Sequence, residues 1–482
     1  MTGLASNWRT RGESENGQSV VQPDTSSFND RYDLATALRI VRRLDSSAVQ
    51  GAVFEEIKAK NWIYRTVDAL YSKSGSTIVQ PLILLAYMLK CVLSIGASEA
   101  ADDAEAVMIA NYPNERHAVA RVAALVPGVR FLRLSFEHKH VFARGQLRAS
   151  WQVVRAVRRL WPFLARLARC HSFMPAARIA SALAFYIRFV QLLGDRPGLA
   201  AAVVASNYSP EAVGMAAAAH RLNRRVAYVN HAPVPENGAP VSPVLADCAI
   251  FYGDAVRQTY ERRSRCTADV ALIGQPWTSR PMEWSDEVRT VGIFLTALTR
   301  AEVVSELVSA IRASHPDARI LIRNHPVALL QTDFSKLEAQ DDNVRVTIGT
   351  PLDDEIIACD LIVCGNSGVA MNVLSGGRPV AYMDALDGLN FDYNGFVENG
   401  LVYHMASWSD DIYTRLKRFY FNPKWQSVMH TYDASYGADR SELERTAAEK
   451  IGRYLSTSVP ARAMSDTRSD QLIVHEDRRR AA

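Results

Sequence analysis

Small and polar residues follow one apolar run in the second half of the chain. The run Leu361–Cys364 precedes the tetrapeptide GNSG at 365–368 and a helical stretch at 369–374. A strand followed by such residues and a helix start presents backbone amides, a hydroxyl and the positive helix end to an anion. A helix N-cap without ligand is the alternative interpretation. Together with neighbouring loops, the pattern predicts that a diphosphate is bound by three of these residues: Asn366, Ser367 and Gly368.

A second loop with candidate binding residues follows the apolar run 319–323. Asn324 and His325 come directly after this run, and Pro326 fixes the backbone just beyond the histidine. A histidine placed there can donate a hydrogen bond to a phosphate, and a structural turn histidine is the alternative. We predict that Asn324 and His325 contribute to the same anion site.

Two other loops of this half add weaker candidates. Thr350 lies in the short loop after the run 344–348, where backbone groups can meet a flat nucleobase. Arg300 follows the run 291–296 and can neutralise phosphate charge, unless it is an ordinary surface arginine. The carboxylates at 353–355 open the next helix, and the helix dipole explains them most simply.

Polar side chains also gather after apolar runs of the first half. The loops concerned are 111–117, 135–140, 206–211 and 230–238. A carboxylate or histidine in such a loop can accept the proton of a hydroxyl group, as a general base does. We take His231 as the first candidate, although a single histidine is more often structural. The further candidates are Glu115, His117, Glu137 and His138.

A basic stretch with aromatic residues occupies 144–190. Arginines recur among tryptophan, phenylalanine and tyrosine residues there, and acidic residues are almost absent. Basic helices with aromatic side chains suit an anionic bilayer or a lipid diphosphate. A solvated basic face packed on the domain is the alternative. No recognised RNA-binding motif accompanies the arginines, so nucleic acid is not an expected partner.

The elements that must position these residues are short apolar runs alternating with helical stretches. In the first half the runs are 106–110, 130–135, 200–205, 225–230 and 248–252, and in the second half 291–296, 319–323, 344–348, 361–364 and 379–383. This alternation predicts an α/β fold with two Rossmann-like parallel-sheet domains facing across a cleft. Ligands of such sheets bind at the carboxyl ends of the strands. The predicted domains are 31–288, with a helical preamble and a helical insertion at about 145–195, and 289–457.

Length and composition agree with two globular domains. The chain has 482 residues, more than one hydrophobic core normally supports. Hydrophobic residues make up 48% of it and charged residues 22%, which is ordinary for a globular protein. The formal charge of +4 leaves no overall footprint for nucleic acid. The six cysteines are widely spaced without a zinc-ligand pattern and indicate reduced core thiols, and we predict no metal site.

The chain ends and one apolar run bear on location. The polar segments 1–30 and 458–482 are typical of disordered tails, and the first lacks the apolar core of a signal peptide. We therefore expect a cytoplasmic protein, peripheral on the inner membrane if the basic stretch docks there. The run 78–95 contains Pro81 and Lys90, which favours a buried or surface-lying helix over a membrane span.

Several segments resemble a known family. Three stretches are similar to motifs of bacterial surface-polysaccharide glycosyltransferases of the GT-B fold. They are VAYVNHAPVPENGAPVSPVLADCAIFYGDAVRQTY with the following VALIGQP, then ILIRNHP, and then LIVCGNSGVAMNVLSGGRPVAYMD. The similarity extends more loosely to capsule Kdo-transferases and polysialyltransferases. It covers roughly residues 106–454. The family's QHG-like triplet is replaced here by Asn230, His231 and Ala232, and the helical insertion has no counterpart in the resemblance.

The resemblance implies a GT-B-like fold and metal-independent transfer from a nucleotide sugar without a further cofactor. It places the donor's phosphates at His325 and Ser367 and implies a surface-polysaccharide or lipid-linked glycan as acceptor. Two alternatives share the architecture: a nucleotide-sugar 2-epimerase, and a non-catalytic sugar-nucleotide-binding or scaffold protein of polysaccharide export. Hydride transfer is disfavoured because no GxGxxG follows a strand.

Overall fold

The computed structural model describes residues 30–45, 47–75, 77–97, 103–136, 144–277, 279–296, 298–325 and 331–456. Except for Asp30, the two segments predicted to be disordered tails lie outside these residues. The base candidates Glu137 and His138 lie outside them too, as does Pro326.

The first domain is built on a parallel sheet in the order β1-β3-β2-β4-β5-β6-β7. Its strands are β1 (Gly96–Ala97), β2 (Ala106–Ile109), β3 (Phe131–Ser135), β4 (Ala201–Val204), β5 (Arg225–Val229), β6 (Cys248–Phe251) and β7 (Asp269–Leu272). β1 is antiparallel to β3, and the other described pairings are parallel. Every residue of β2, β4 and β6 is buried, as expected for strands covered on both faces.

Helices cover this sheet and add the predicted preamble and insertion. The preamble is α1 (Leu34–Asp45), α2 (Ala48–Lys60), α3 (Trp62–Ser74) and α4 (Val79–Ser94); α5 (Pro113–Leu125) follows β2; the insertion is α6 (Arg144–Cys170) and α7 (Phe173–Gly194); α8 (Pro210–Arg221) and α9 (Asp254–Arg263) follow β4 and β6. Asn61 separates α2 from α3, because its side chain accepts hydrogen bonds from the first amides of α3.

One helix in the described part of the chain, α7, is long and apolar enough to cross a membrane. Its most apolar window is 67% buried inside the protein. The helix packs against α1, α4, α6 and α8, and it carries Phe185 and Phe189 into the main hydrophobic core. These contacts are those of a core helix.

The second domain has a parallel sheet in the order β10-β9-β8-β11-β12-β13. Its elements are β8 (Thr290–Phe294), α10 (Ala301–Ser314), β9 (Arg319–Arg323), α11 (Ser335–Gln340), β10 (Val344–Thr347), α12 (Leu352–Ala358), β11 (Leu361–Cys364), α13 (Val369–Ser375), β12 (Val380–Tyr382), β13 (Tyr403–His404), α14 (Ile412–Tyr420) and α15 (Pro423–Tyr432). This sheet has its own hydrophobic core. The predicted GT-B-like arrangement of two facing α/β domains is confirmed.

The last helix, α16 (Arg440–Leu455), returns to the first domain. Ala447, Ile451 and Leu455 are buried in a core with β2, β4 and β6. The predicted second domain, 289–457, therefore includes a helix that packs with the first. The helix spacing of its apolar residues does not reveal which sheet they cover.

The loop 230–238 of the first domain ties the two domains together. The amides of Glu236 and Asn237 donate to the carbonyl of Tyr393 at 3.0 and 3.1 Å. Gly238 has φ +69°, and a Cβ atom there would lie 2.4 Å from the Phe391 ring. Only glycine permits both this backbone and this approach. The contacts fix the loop that carries His231 against the second domain.

All six cysteines are free thiols, and four of them are buried. The prediction of core thiols is thus confirmed for Cys91, Cys248, Cys359 and Cys364, and it is wrong for exposed Cys170 and half-buried Cys266. Burial raises the pKa of each of these four thiols to about 12, which makes them poor nucleophiles.

Candidate functional site

A cavity of about 1330 Å³ lies between the carboxyl edges of the two sheets. Both domains line it, the first through loops after β2, β4 and β5 and the second through loops after β9 and β11. It brings together most of the residues predicted from the sequence: Glu115, His117, His231, Asn324, His325, Ser367 and Gly368. Asn366, Thr350 and Arg300 are not among its lining residues.

His231 follows β5 and has one ring nitrogen fixed by the protein. Its Nδ1 donates a hydrogen bond to the carbonyl of Ala205, at the end of β4. This bond selects the tautomer with hydrogen on Nδ1 and leaves the Nε2 lone pair as an acceptor. Burial lowers the pKa of His231, so the neutral form is favoured near pH 7. A neutral imidazole with an available lone pair can act as a general base.

Glu115 lies on the same cavity wall but is occupied by the backbone. Its Oε2 accepts hydrogen bonds from the amides of Asn111 and Tyr112 at 2.8 and 3.3 Å, which caps α5. His117 is exposed on α5 and also lines the cavity. The structure thus gives Glu115 a helix-capping role and leaves His231 as the base candidate with the better geometry.

Glu211 also lines the cavity, although it was not among the predicted site residues. It is 6% exposed in the first turn of α8, and its Oε1 accepts a hydrogen bond from Asn111 Nδ2 at 3.0 Å. Burial, and then the nearby Glu115 carboxyl, raise the pKa of Glu211. Its position in the loop and helix start that follow buried β4 was the signal that could have identified it.

Ser367 and Gly368 form the corner where β11 leads into α13. Ser367 Oγ accepts a hydrogen bond from the amide of Val369 at 3.2 Å. A Cβ atom on Gly368 would lie 2.9 Å from Pro233 Cδ, in the loop that carries His231. This close contact places the predicted phosphate loop directly beside the base candidate's loop.

The side chain of Asn366 is engaged by the protein. Its Nδ2 donates to the carbonyl of Phe391 at 2.8 Å, and its Oδ1 accepts from the Tyr382 hydroxyl and the Tyr393 amide, both at 2.7 Å. Its own amide donates to Asp387 at 2.8 Å. Asn366 therefore holds the segment 387–393 in place behind the cavity.

Asn324 likewise supports its neighbour. It is 6% exposed, and its Oδ1 accepts hydrogen bonds from the amides of His325 and Thr332, both at 3.1 Å. Its Nδ2 donates to the Thr332 carbonyl at 2.6 Å. These bonds fix the backbone from which the His325 side chain lines the cavity.

On the second domain's side of the cavity, the lining arginine is Arg323 at the end of β9, in place of the predicted Arg300. Arg300 is paired with Glu302 at 3.2 Å and donates to Asn390, outside the cavity lining. Arg323 donates to the buried carboxylate of Glu355 and to the carbonyl of Thr350 at 2.9 Å. Arg323 was predicted only as a strand residue, because the sequence does not show which side chains surround it.

Across the described residues, no group of three or more histidine, cysteine, aspartate or glutamate side chains could hold a metal ion.

No protein-family model matches the sequence, and no curated protein matches it. The structure is similar to UDP-GlcNAc 2-epimerase from Neisseria meningitidis, at 12% identity and a TM-score of 0.41 over 72% of this chain and 98% of that chain. It is similar to the glycosyltransferase SnogD from Streptomyces nogalater, at 12% identity and a TM-score of 0.41 over 72% and 99%. For Anabaena HepE, determined with UDP and glucose, the identity is 12% and the TM-score 0.41, over 72% and 99%.

Proposed function

We propose that the protein is a glycosyltransferase that moves a sugar from a nucleotide-sugar donor to a surface-polysaccharide or lipid-linked glycan acceptor. One observation carries the proposal: a single cavity is lined by His231 from one sheet edge and by His325, Ser367 and Arg323 from the facing edge. Parallel sheets bind ligands at these edges, so a donor and an acceptor can meet there.

The proposed reaction inverts the anomeric centre without a metal ion. The bond between the anomeric carbon and the diphosphate oxygen breaks, and the acceptor oxygen forms the new bond from the opposite face. The acceptor's proton goes to Nε2 of His231. The charge that develops on the leaving diphosphate is stabilised by the hydroxyl of Ser367, the ring of His325 and the nearby guanidinium of Arg323.

We also propose that helix α6 rests on the anionic cytoplasmic face of the inner membrane. The helix contains no aspartate or glutamate, and its arginines are Arg144, Arg148, Arg155, Arg158, Arg159, Arg166 and Arg169. Leu147, Trp151 and Val154 on the same helix are 50%, 59% and 44% exposed. Apolar and aromatic side chains among arginines suit the boundary between lipid headgroups and acyl chains.

Co-sedimentation with phosphatidylglycerol vesicles tests the membrane proposal. Each arginine near an anionic surface contributes about 1 kcal/mol to membrane binding. A variant in which Arg155, Arg158 and Arg159 are all changed to Gln should therefore bind the vesicles about 100-fold more weakly at low salt. The matched control changes Arg289, Arg415 and Arg445, which are exposed elsewhere, to Gln. Equal loss in both variants, or no binding by the native chain, would contradict docking through α6.

The activity is tested by incubating the full chain with a panel of UDP-, GDP- and CMP-sugars, with and without lipid-linked glycan acceptors. Nucleotide release that requires an acceptor is the result expected. Interconversion of donor sugars without acceptor would instead indicate a 2-epimerase, and donor binding without turnover a non-catalytic protein.

A further inference from the structure

The cavity continues from the cleft into a chamber between helices of the first domain. Its residues recur along each helix at the helical period, at i, i+3, i+4 and i+7 on two helices and at i, i+4, i+7 and i+11 on the third, and so lie on one face of that helix. They are Gln50, Val53, Phe54 and Ile57 on α2, Tyr87, Lys90, Cys91 and Ser94 on α4, and Met174, Arg178, Ser181 and Phe185 on α7. We call this space the helical chamber.

Three of the four α2 residues that line the helical chamber are apolar: Val53, Phe54 and Ile57. Val53 and Ile57 are half-buried, and neither belongs to the hydrophobic cores of the described residues. Phe54 is 8% exposed and lies under the guanidinium of Arg178, which is 5.9 Å from the ring centroid. An apolar ligand group would gain free energy by covering this wall.

A cation marks the α4 wall. Lys90 is exposed, and its Nζ lies 5.2 Å from the centroid of the Tyr87 ring. The opposing cation, Arg178, is already paired with Asp45 at 2.9 Å. The buried carboxyl groups Glu115 and Glu211 line the part of the cavity at the ends of β2 and β4. An anionic headgroup therefore fits beside Lys90 and not beside the carboxyl groups of Glu115 and Glu211.

The start of α6 is hydrogen-bonded to the end of α4, which forms one wall of the chamber. Gln146 at the start of α6 donates through Nε2 to the carbonyls of Leu93 and Ile95 at 3.1 and 3.0 Å, next to the chamber residue Ser94. Leu147 and Trp151 then follow on the exposed, arginine-rich side of α6. Among the described residues, none of α6 lines the cavity, and α6 packs against α4 and α7, which form two walls of the chamber.

We infer that the helical chamber binds the apolar chain of a lipid phosphate-linked acceptor. The inference rests on the proposed function, whose acceptor it specifies. The chain lies against Val53, Phe54 and Ile57, the phosphate lies at Lys90, and the sugar hydroxyl reaches His231. The apolar surface of the α2 wall and the positive charge of Lys90 favour this occupant over a free polysaccharide, which offers no apolar chain.

The test is calorimetric binding of farnesyl phosphate, farnesol and inorganic phosphate to the full chain, below the micelle concentration of the lipids. Farnesyl phosphate should bind at least 100-fold more tightly than inorganic phosphate. Ile57→Ser should weaken farnesyl phosphate binding about tenfold by removing apolar contact. Lys90→Gln should weaken farnesyl phosphate binding and leave farnesol binding unchanged.

Ile357→Ser is the matched control, because Ile357 is 42% exposed on α12 and lies outside the cavity lining. Its affinity for farnesyl phosphate should equal that of the native chain. Ile57→Trp fills part of the chamber with a larger side chain and should also weaken farnesyl phosphate binding. Weakening by this variant, which removes no apolar surface, would show that the ligand occupies the space beside Ile57. Equal affinity in the native and Ile57 variants, or tighter binding of phenyl glucoside than of farnesyl phosphate, would overturn the inference.

Nucleoside diphosphate binding to the same samples separates this inference from the proposed function. Bound diphosphate without farnesyl phosphate binding overturns the chamber's role alone. Bound farnesyl phosphate without any diphosphate binding overturns the proposed function and leaves the chamber as a lipid site.

Discussion

The two edges of the cleft use different physical means. At the first edge, burial shifts the pKa values of His231 and Glu211 toward their neutral forms. At the second edge, Ser367, His325 and Arg323 present donors and positive charge, and the backbone around His325 is held by Asn324. Under the proposed function, this difference assigns proton transfer to the first domain and anion binding to the second.

The largest expected effect concerns His231, the base candidate of the first edge. We expect His231→Ala to lower the transfer rate by about 10² to 10⁴, because a positioned general base contributes that much. Donor affinity, measured by calorimetry, should stay unchanged, since the second edge is intact. His430→Ala, at an exposed histidine outside the cavity, is the control. A full-rate His231→Ala enzyme would refute the assignment.

Arg323 links the second edge to the stability of its domain. Arg323→Leu leaves the Glu355 carboxylate, which is 4% exposed, without its partner, and should destabilise the fold by about 3 to 5 kcal/mol. Thermal unfolding measures this. Arg323→Leu combined with Glu355→Leu should recover most of the loss while still weakening donor binding. A single variant of native stability would show that the pair contributes nothing to folding.

The donor contacts at the second edge are expected to have intermediate effects. Ser367→Ala and His325→Ala should each weaken donor binding by about 1.5 to 3 kcal/mol without unfolding the protein. Arg300→Ala should change it little, because Arg300 is paired outside the cavity lining. Titration calorimetry with a nucleoside diphosphate distinguishes these outcomes. If only the Arg300 variant lost affinity, the donor would bind near Arg300 and not at Ser367 and His325.

The smallest expected effect is a shift in pH dependence. Because burial lowers the pKa of His231, its base form persists below the usual histidine pKa of about 6.5. The transfer rate should therefore fall only as pH drops below about 6.5. The folded state also binds this proton less readily than the unfolded state, so stability falls over the same interval. An acid limb above about pH 7 would contradict a buried neutral base.

Much of the fold follows from the sequence because buried parallel strands are continuous apolar runs. The runs at β2, β4, β6 and β11 were each predicted to within a residue or two of their bounds. β7 was not predicted; its apolar run is short, and Asp269 at its start is exposed at the edge of the sheet. The apolar spacing of α16 predicts a helix with one buried face, but it does not show that this face packs on the first sheet.

The candidate site was less predictable than the fold. The loops after the strands were the right places to look, and His231, His325 and Ser367 line one cavity. The sequence does not show which polar groups a loop uses for its own structure, as Asn366 and Glu115 do. Nor does it show that a strand-terminal residue such as Arg323 reaches the cavity.

A crystal structure with a bound nucleoside diphosphate tests the central claim most directly. The account predicts that the diphosphate lies against Ser367 and Gly368, within hydrogen-bond distance of His325 and on the far side of the cavity from the Val53 and Phe54 wall. A diphosphate bound elsewhere, with the His325 ring turned away from it, would contradict the account.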